Sequence, residues 1–151
     1  MRLWHYKLIP FLPDSQLVAQ WRELNSIFKN QPKHILINYV YKYDKYDLLA
    51  YSNLVIAEME KRNFKTNTSN YENYFDKLDV YCLLNKLDSK PFENHHNDRY
   101  LLQCFMNLQE KFDRGQQDFS KEQFIKMRNF VTRELYDSLT VHVVELLFLN
   151  E

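Results

Sequence analysis

The stretch that decides the fold is residues 14–29, which read DSQLVAQWRELNSIFK. Asp14 or Ser15 can cap a helix here, because a short side-chain oxygen accepts a hydrogen bond from the free N–H groups of a first turn. Five apolar residues then recur at helical spacing and define one face: Leu17, Val18, Trp21, Leu24 and Phe28. Gln20 and Glu23 fall roughly opposite, so the pattern predicts an amphipathic helix with both on its polar face.

Outward from this segment, four further helices are predicted. They run from Asp44 or Asp47 to about Arg62, over 71–87, from Asn97 or Asp98 to Gly115, and from Ser120 to about Tyr136. Asn63 and Gly115 are expected to be left-handed stops. Ser120 and Gln123 form a capping-box pattern, which Phe119 and Phe124 are placed to staple.

The remaining segments are not predicted to be regular helices. Residues 1–13 read as an extended arm, because Pro10 and Pro13 disfavour a regular helix. Residues 34–43 have the composition of a strand but no obvious pairing partner, so they are expected to be irregular or a short strand. The tail over 139–149 is compatible with either a strand or a helix. The chain is therefore predicted to be all-α, a compact bundle of about five helices preceded by an extended arm.

Composition narrows the class of protein. A chain of 151 residues is most simply one domain, 1–151, and it contains a single glycine. Glycine-rich phosphate-binding loops need several glycines, so nucleotide-binding motifs of that kind are excluded. No apolar run reaches the length of a membrane span, and no signal peptide opens the chain. We expect a cytoplasmic protein without membrane contact, in which Cys82 and Cys104 are buried free thiols.

Charge is balanced overall but unevenly distributed. Lys and Arg number 20, as do Asp and Glu, so the formal net charge is zero. Residues 1–65 carry a net +4 and the remainder carries −4. The basic first part favours a polyanionic partner, although the whole chain lacks the strong positive field usual for nucleic-acid-binding proteins.

The histidines do not form a metal-binding motif. His95 and His96 lie near Glu93 and Asp98, but adjacent loop residues rarely reach one ion, and the helical i, i+4 spacing of metal-binding histidines is missing. A polar loop and helix start is the favoured interpretation. His142, in the apolar tail, is expected to be buried and hydrogen-bonded.

The N-terminus carries a different kind of chemistry. The chain starts Met1-Arg2-Leu3-Trp4-His5, and the large residue at position 2 is expected to prevent removal of Met1. Free α-amines have pKa values of about 7.7–8.0, against about 10.4 for lysine side chains. An α-amine held near a carboxylate can therefore act as a nucleophile at neutral pH.

The order of these features resembles the pyrimidine dimer DNA glycosylase family, the phage-type endonuclease V enzymes, and most closely its bacterial branch. An Arg-Leu arm is followed by QLVAQWREL (16–24), Lys33-His34 and IAEMEKRNF (56–64). The segments MRLWHYKLIP (1–10) and NLQEKF (107–112) are similar to the bacterial group. The likeness to the phage type is clearest over 1–64 and weaker near 96–112.

The resemblance implies a DNA repair glycosylase with abasic-site lyase activity on ultraviolet-induced pyrimidine dimers. The amine of Met1 would attack the sugar C1′ and form a Schiff base, with Glu23 as the catalytic carboxylate. Arg2 and Arg22 would hold phosphates, and Lys33 and His34 would extend that contact. No metal or cofactor is implied, and the partner is double-stranded DNA with ultraviolet damage or abasic sites.

Two alternatives and three departures accompany this interpretation. The same scaffold could serve as a non-catalytic helical binding or interaction protein, or as an enzyme acting on another nucleic-acid or nucleotide substrate. The retained Met1 is bulkier than the small first residue of the phage type, and its amine keeps its place only if one residue is inserted after the arm. The zero net charge predicts weak, salt-sensitive binding to DNA.

Overall fold

The computed structural model describes residues 1–78 and 90–136. Over these ranges the chain forms helices and no strand. The α-helices are α1 (Asp14–Asn30), α2 (Lys45–Lys61), α3 (Ser69–Phe75), α4 (Asp98–Asp113) and α5 (Lys121–Glu134). Two 3₁₀ helices, Tyr6–Phe11 and Asn38–Lys42, join them. The predicted all-α bundle of about five helices is confirmed.

The N-terminal arm is only partly extended. Tyr6–Phe11 forms the first 3₁₀ helix, with Pro10 inside it. Proline is compatible with this geometry because its fixed φ lies in the 3₁₀ range. The side chain of His5 caps the helix by accepting a hydrogen bond from the Lys7 amide (3.2 Å). The expectation of an extended arm over all of residues 1–13 is therefore wrong for this segment.

The segment over 34–43 is a turn followed by the second 3₁₀ helix, Asn38–Lys42. Ile37 and Val40 are buried, and their spacing of three residues matches the three-residue turn of a 3₁₀ helix. The short-strand alternative is wrong, because the apolar residues face the helical core and no neighbouring strand pairs with them within the described ranges.

Local caps set the starts of α4 and α5 where the sequence predicted them. The predicted cap of α1 at Asp14 or Ser15 is wrong, because this helix starts after Pro13 with no side-chain cap hydrogen bond. Asn97 accepts a hydrogen bond from the Tyr100 amide, and Ser120 from the Gln123 amide, both at 3.1 Å. Asn63 and Gly115 have φ values of 61° and 79°, which confirms both as left-handed stops. The Gln123 side chain, however, donates to the Leu12 carbonyl (2.9 Å) instead of returning to Ser120, so only half of the capping box forms.

The arm lies inside the bundle. Its 3₁₀ helix packs against α2, α4 and α5, and α1 packs against α2 and α3. Leu3, Leu8 and Leu12 of the arm are fully buried. None of the helices in the described ranges is long and apolar enough to cross a bilayer.

The third predicted helix differs from its predicted bounds. It starts at Ser69, two residues before the predicted start at residue 71, and α3 ends at Phe75. The rest of that predicted helix beyond residue 78, together with Cys82, His142 and the tail over 139–149, lies outside the described residues. Cys104 is a buried free thiol, as expected.

Candidate active site

Gln20 fastens the N-terminal arm to α1. Its Oε1 accepts a hydrogen bond from the Trp4 amide at 2.8 Å, and its Nε2 donates to the Arg2 carbonyl at 3.3 Å. Gln20 is only 1% exposed. The sequence placed it on the polar face of α1, but that face is covered by the arm at this point, so the amide pairs with backbone instead of water.

Two tyrosines hold the arm from the other side. The Tyr51 hydroxyl of α2 donates to the Trp4 carbonyl (2.7 Å), and the Tyr100 hydroxyl of α4 donates to the Leu3 carbonyl (2.6 Å). Burial raises the pKa of both tyrosines, so both hydroxyls keep the protons that they donate. Three helices thus fix the backbone just after Met1.

The fixed arm brings the α-amine of Met1 against Glu23. The nitrogen lies 3.7 Å from Glu23 Oε1. Glu23 lies three residues after Gln20 and therefore on the same face of α1. Its other oxygen, Oε2, is buried and has no hydrogen-bond partner among the described residues. A buried acceptor without a partner costs about 1–3 kcal/mol, which makes this oxygen the unusual atom of the site.

The predicted cations occupy three different environments. The guanidinium carbon of Arg2 lies 5.7 Å from the centre of the Trp4 ring, and the Arg2 side chain is half-buried. Arg22 is exposed beside Glu23 on α1. Lys33 and His34 are exposed on the turn after α1. Arg22 and Lys33 form no ion pair with any residue in 1–78 or 90–136.

Arg2 also lies beside the buried Cys104. Burial raises the pKa of the Cys104 thiol, and the Arg2 guanidinium partly opposes this rise. Cys104 belongs to α4, so Arg2 contacts a helix distant in sequence as well as its own arm. This packing fixes the direction in which the chain enters the site.

Two buried histidines connect the arm to the loop before α4. His5 Nε2 donates to the His96 carbonyl (2.8 Å), and His96 Nδ1 accepts from the Tyr6 amide (3.2 Å). The His96 proton therefore lies on Nε2, which faces the Tyr39 hydroxyl at 2.8 Å. Burial lowers the pKa of His5 to about 4 and that of His96 to about 2, so both are neutral at pH 7.

The pair His95-His96 is consequently not a simple polar loop. His96 is 4% exposed and occupied by protein partners, whereas His95 stacks on Tyr39 with ring centres 3.5 Å apart. Within the described part of the chain, no cluster of three or more His, Cys, Asp or Glu side chains is arranged to hold a metal ion.

Sequence reasoning missed the residues that position the amine: Gln20, Tyr51, Tyr100 and His96. Gln20 carried a weak signal, since it shares a face with Glu23. Tyr51 carried none, because it lies within the apolar stripe of α2 and its hydroxyl is satisfied by a residue 47 positions away.

The arrangement is suited to nucleophilic chemistry on an electron-poor carbon. An α-amine supplies the nucleophile, and a carboxylate with a free oxygen can stabilise positive charge or accept a proton within the same small volume. The exposed cations beyond it are suited to anionic groups on either side. These features define the class: a small all-α protein with an amine–carboxylate pair at the end of a buried arm.

Comparison with known proteins agrees with this class. Residues 1–72, just under half of the chain, match the family model described as pyrimidine dimer DNA glycosylase. The resemblance drawn from the sequence is confirmed over these residues, and the match supports a DNA repair glycosylase whose substrate is DNA. Searches of curated proteins and of solved structures returned no significant match.

Proposed function

We propose that the protein removes pyrimidine dimers from double-stranded DNA and cleaves the resulting abasic strand, using the amine of Met1 as nucleophile and Glu23 as catalytic carboxylate. One observation carries the proposal: the Met1 nitrogen lies 3.7 Å from Glu23 Oε1, with Oε2 buried and unpaired. The match of residues 1–72 to the family supports DNA as the substrate.

The first step joins the amine to the sugar. The nitrogen lone pair attacks C1′, the glycosidic bond breaks, and its electron pair leaves with the base. Positive charge develops on the sugar during this step, and we assign its stabilisation to the free oxygen of Glu23. Ring opening and loss of a proton from nitrogen give the imine. Glu23 then assists removal of a C2′ proton, and the 3′ phosphate leaves.

The cations of the site have supporting roles. Arg22 and Lys33 are exposed and unpaired among the described residues, so both can bind phosphates without first breaking an ion pair. His34 extends the same surface. Arg2 is assigned a phosphate on one flank of the lesion, as the family resemblance implies. A damaged nucleotide leaves the base stack at lower cost than a normal one.

Borohydride trapping tests this proposal. Protein without an N-terminal tag is mixed at low salt with duplex DNA carrying an abasic site or a thymine dimer, reduced, digested and mapped by mass spectrometry. We expect the adduct on the Met1 amine, and we expect Glu23→Gln to lower strand cleavage at least a hundredfold. Glu110→Gln, on the exposed face of α4, is the matched control and should cleave normally.

Three results would contradict the proposal. An adduct on a lysine would remove Met1 from the mechanism, and normal cleavage by Glu23→Gln would remove the carboxylate. No adduct on either DNA would favour the alternative of a non-catalytic helical binding module. Intact mass of the purified protein identifies the residue that carries the free amine.

A further inference from the structure

The turn after α1 exposes two adjacent aliphatic side chains. Ile35 is 86% exposed and Leu36 is 41% exposed. They occupy the two central positions of a turn closed by the hydrogen bond from the Ile37 amide to the His34 carbonyl (2.9 Å). Central turn positions usually carry Gly, Pro, Asn, Asp or Ser, so a pair of large aliphatic residues there is not explained by turn formation.

The turn is held in one conformation by its own hydrogen bonds. The His34 amide donates to Asn38 Oδ1 (2.8 Å), and the Leu36 amide donates to His34 Nδ1 (3.2 Å). Ile37, the next residue, is fully buried in the core. Ile35 and Leu36 are therefore presented on an ordered support, and a partner would not have to order this backbone on binding.

The stretch of sequence around this pair is basic. Residues 29–45 contain four lysines and one acidic residue, within a chain of zero net charge: Lys29, Lys33, Lys42, Lys45 and Asp44. The four lysines are exposed. Lys33 and His34 directly precede the aliphatic pair. An apolar tip bordered by cations is complementary to nucleic acid, whose stacked bases lie between rows of phosphates.

The tip follows α1, the helix that carries Glu23, and is joined to it by residues 31–34. Asn30, the last residue of the helix, comes seven positions after Glu23, which is a rise of about 10 Å along the axis. Gln31 then turns the chain through a left-handed conformation (φ 45°) toward the turn. A rise of about 10 Å corresponds to about three base steps of 3.4 Å.

We propose that Ile35 and Leu36 form an apolar wedge that enters the base stack of duplex DNA beside the lesion, while Lys33 and His34 bind the adjacent phosphates. This inference rests on the proposed function, because it takes damaged duplex DNA as the substrate. Partial unstacking by the wedge bends the duplex and makes extrusion of a nucleotide less costly.

The test uses duplex DNA with a non-cleavable abasic analogue and the fluorescent base 2-aminopurine placed three steps away. Unstacking of 2-aminopurine raises its fluorescence. We expect wild-type protein to produce this rise at saturation. Ile35→Ala/Leu36→Ala should abolish the rise and weaken binding about tenfold or more, because aliphatic burial is lost. Ile35→Phe should preserve the rise.

Controls separate the wedge from charge and from folding. Met106→Ala removes an apolar side chain that is 54% exposed on α4, and it should change neither the fluorescence rise nor the affinity for DNA. The double variant removes no cation, so a plot of log Kd against log salt should have the wild-type slope. Lys33→Gln removes one cation and should lower the magnitude of that slope by about 1. Circular dichroism melting verifies that each variant is folded.

Normal unstacking by the double variant would overturn the wedge. The wedge would also be overturned if the double variant behaved normally on DNA but no longer self-associated in sedimentation, since the tip would then bind a second copy. Normal behaviour on DNA with lost flotation on anionic vesicles would likewise assign the tip to a membrane surface. Failure of the proposed function is distinguishable: unstacking by wild type without a trapped adduct removes the chemistry and keeps the wedge. A Met1 adduct together with normal unstacking by the double variant would keep the chemistry and remove the wedge.

Discussion

At the scale of single residues, the amide of Gln20 links the arm to the helix that carries Glu23. It accepts from the Trp4 amide and donates to the Arg2 carbonyl, and it is fully enclosed. The placement of the Met1 nitrogen depends on this register. A shift of the arm by one residue would move the amine about 3.3 Å, which is comparable with the 3.7 Å that now separates it from the carboxylate.

Gln20→Met keeps the shape of the side chain and removes its hydrogen bonds. We expect the free energy of unfolding to fall by about 1–3 kcal/mol, because the buried Trp4 amide loses its acceptor. We also expect slower formation of the borohydride-trapped adduct at temperatures where the variant is folded. Urea denaturation and a trapping time course measure the two effects.

Gln20→Glu is the informative partner of that variant, since its Oε1 can still accept from the Trp4 amide. It should recover part of the trapping rate. Gln103→Met, on the exposed face of α4, should change stability by less than about 0.5 kcal/mol. Equal trapping by wild type and Gln20→Met would show that the register of the arm does not limit the reaction.

At the scale of elements, Arg62 joins the end of α2 to the first 3₁₀ helix. Its guanidinium donates to the carbonyls of Pro10 (3.0 Å) and Leu12 (2.6 Å), and it also pairs with Glu58 (2.8 Å) and Asp14 (2.9 Å). Planar donors in a fixed fork are needed to reach several acceptors at once. This one side chain therefore anchors the end of the arm opposite to the amine.

Arg62→Leu should lower the free energy of unfolding by about 3 kcal/mol, since it leaves the buried Glu58 carboxylate and the Leu12 carbonyl without this donor. Arg62→Lys should recover only part of this, because an ammonium group lacks the fork. Lys61→Met is the matched control. Lys61 is 74% exposed and lies 3.7 Å from Glu58, so its loss should cost less than about 1 kcal/mol. Equilibrium urea denaturation measures these free energies. Equal losses for Arg62→Leu and Lys61→Met would contradict the prediction.

At the scale of the whole molecule, stability should depend on pH through His5 and His96. Burial lowers both folded-state pKa values, to about 4 and about 2, whereas an unfolded histidine has a pKa of about 6.5. The unfolded chain therefore takes up protons first as the pH falls. Stability is fully present above about pH 6.5 and should decrease below it, by about 1.4 kcal/mol per pH unit for each histidine.

Urea denaturation at pH values from 7.5 to 5 measures this slope above the range where most carboxylates titrate. His34→Gln removes an exposed histidine and should leave the slope unchanged. His5→Gln and His96→Gln should each flatten it, if necessary in a background stabilised by sucrose. A wild-type free energy of unfolding that stays constant from pH 7.5 to 5 would contradict the buried, neutral state of both rings.

Binding to DNA is also a property of the whole charge distribution. With zero net charge there is little general attraction, so affinity should come from the few local cations. If Arg2, Arg22 and Lys33 each contact one phosphate, log K against log salt should have a slope of about −3. Arg22→Gln should reduce its magnitude by about 1, while Arg114→Gln, whose side chain pairs with Glu110, should not. Titration by fluorescence anisotropy at several salt concentrations measures these slopes.

Features that depend on neighbours along the chain could be predicted from the amino-acid sequence. The ends of α4 and α5 follow from Asn97, Ser120 and Gly115, because a cap or a left-handed stop acts within one turn. The long amphipathic helix α1 follows from its periodicity. The family resemblance added Met1 and Glu23 as a catalytic pair, which stays a prediction; the Met1 nitrogen and Glu23 Oε1 lie 3.7 Å apart.

Features that depend on residues far apart in the chain could be read only from the packed helices. The burial of Gln20 requires the arm to cover the polar face of α1, and the neutral state of His96 requires the arm, α4 and Tyr39 to meet. The 3₁₀ geometry at Pro10 and over Asn38–Lys42 likewise comes from packing against other helices. No local pattern encodes these outcomes, since burial and hydrogen-bond partners are fixed by the bundle as a whole and not by sequence neighbours.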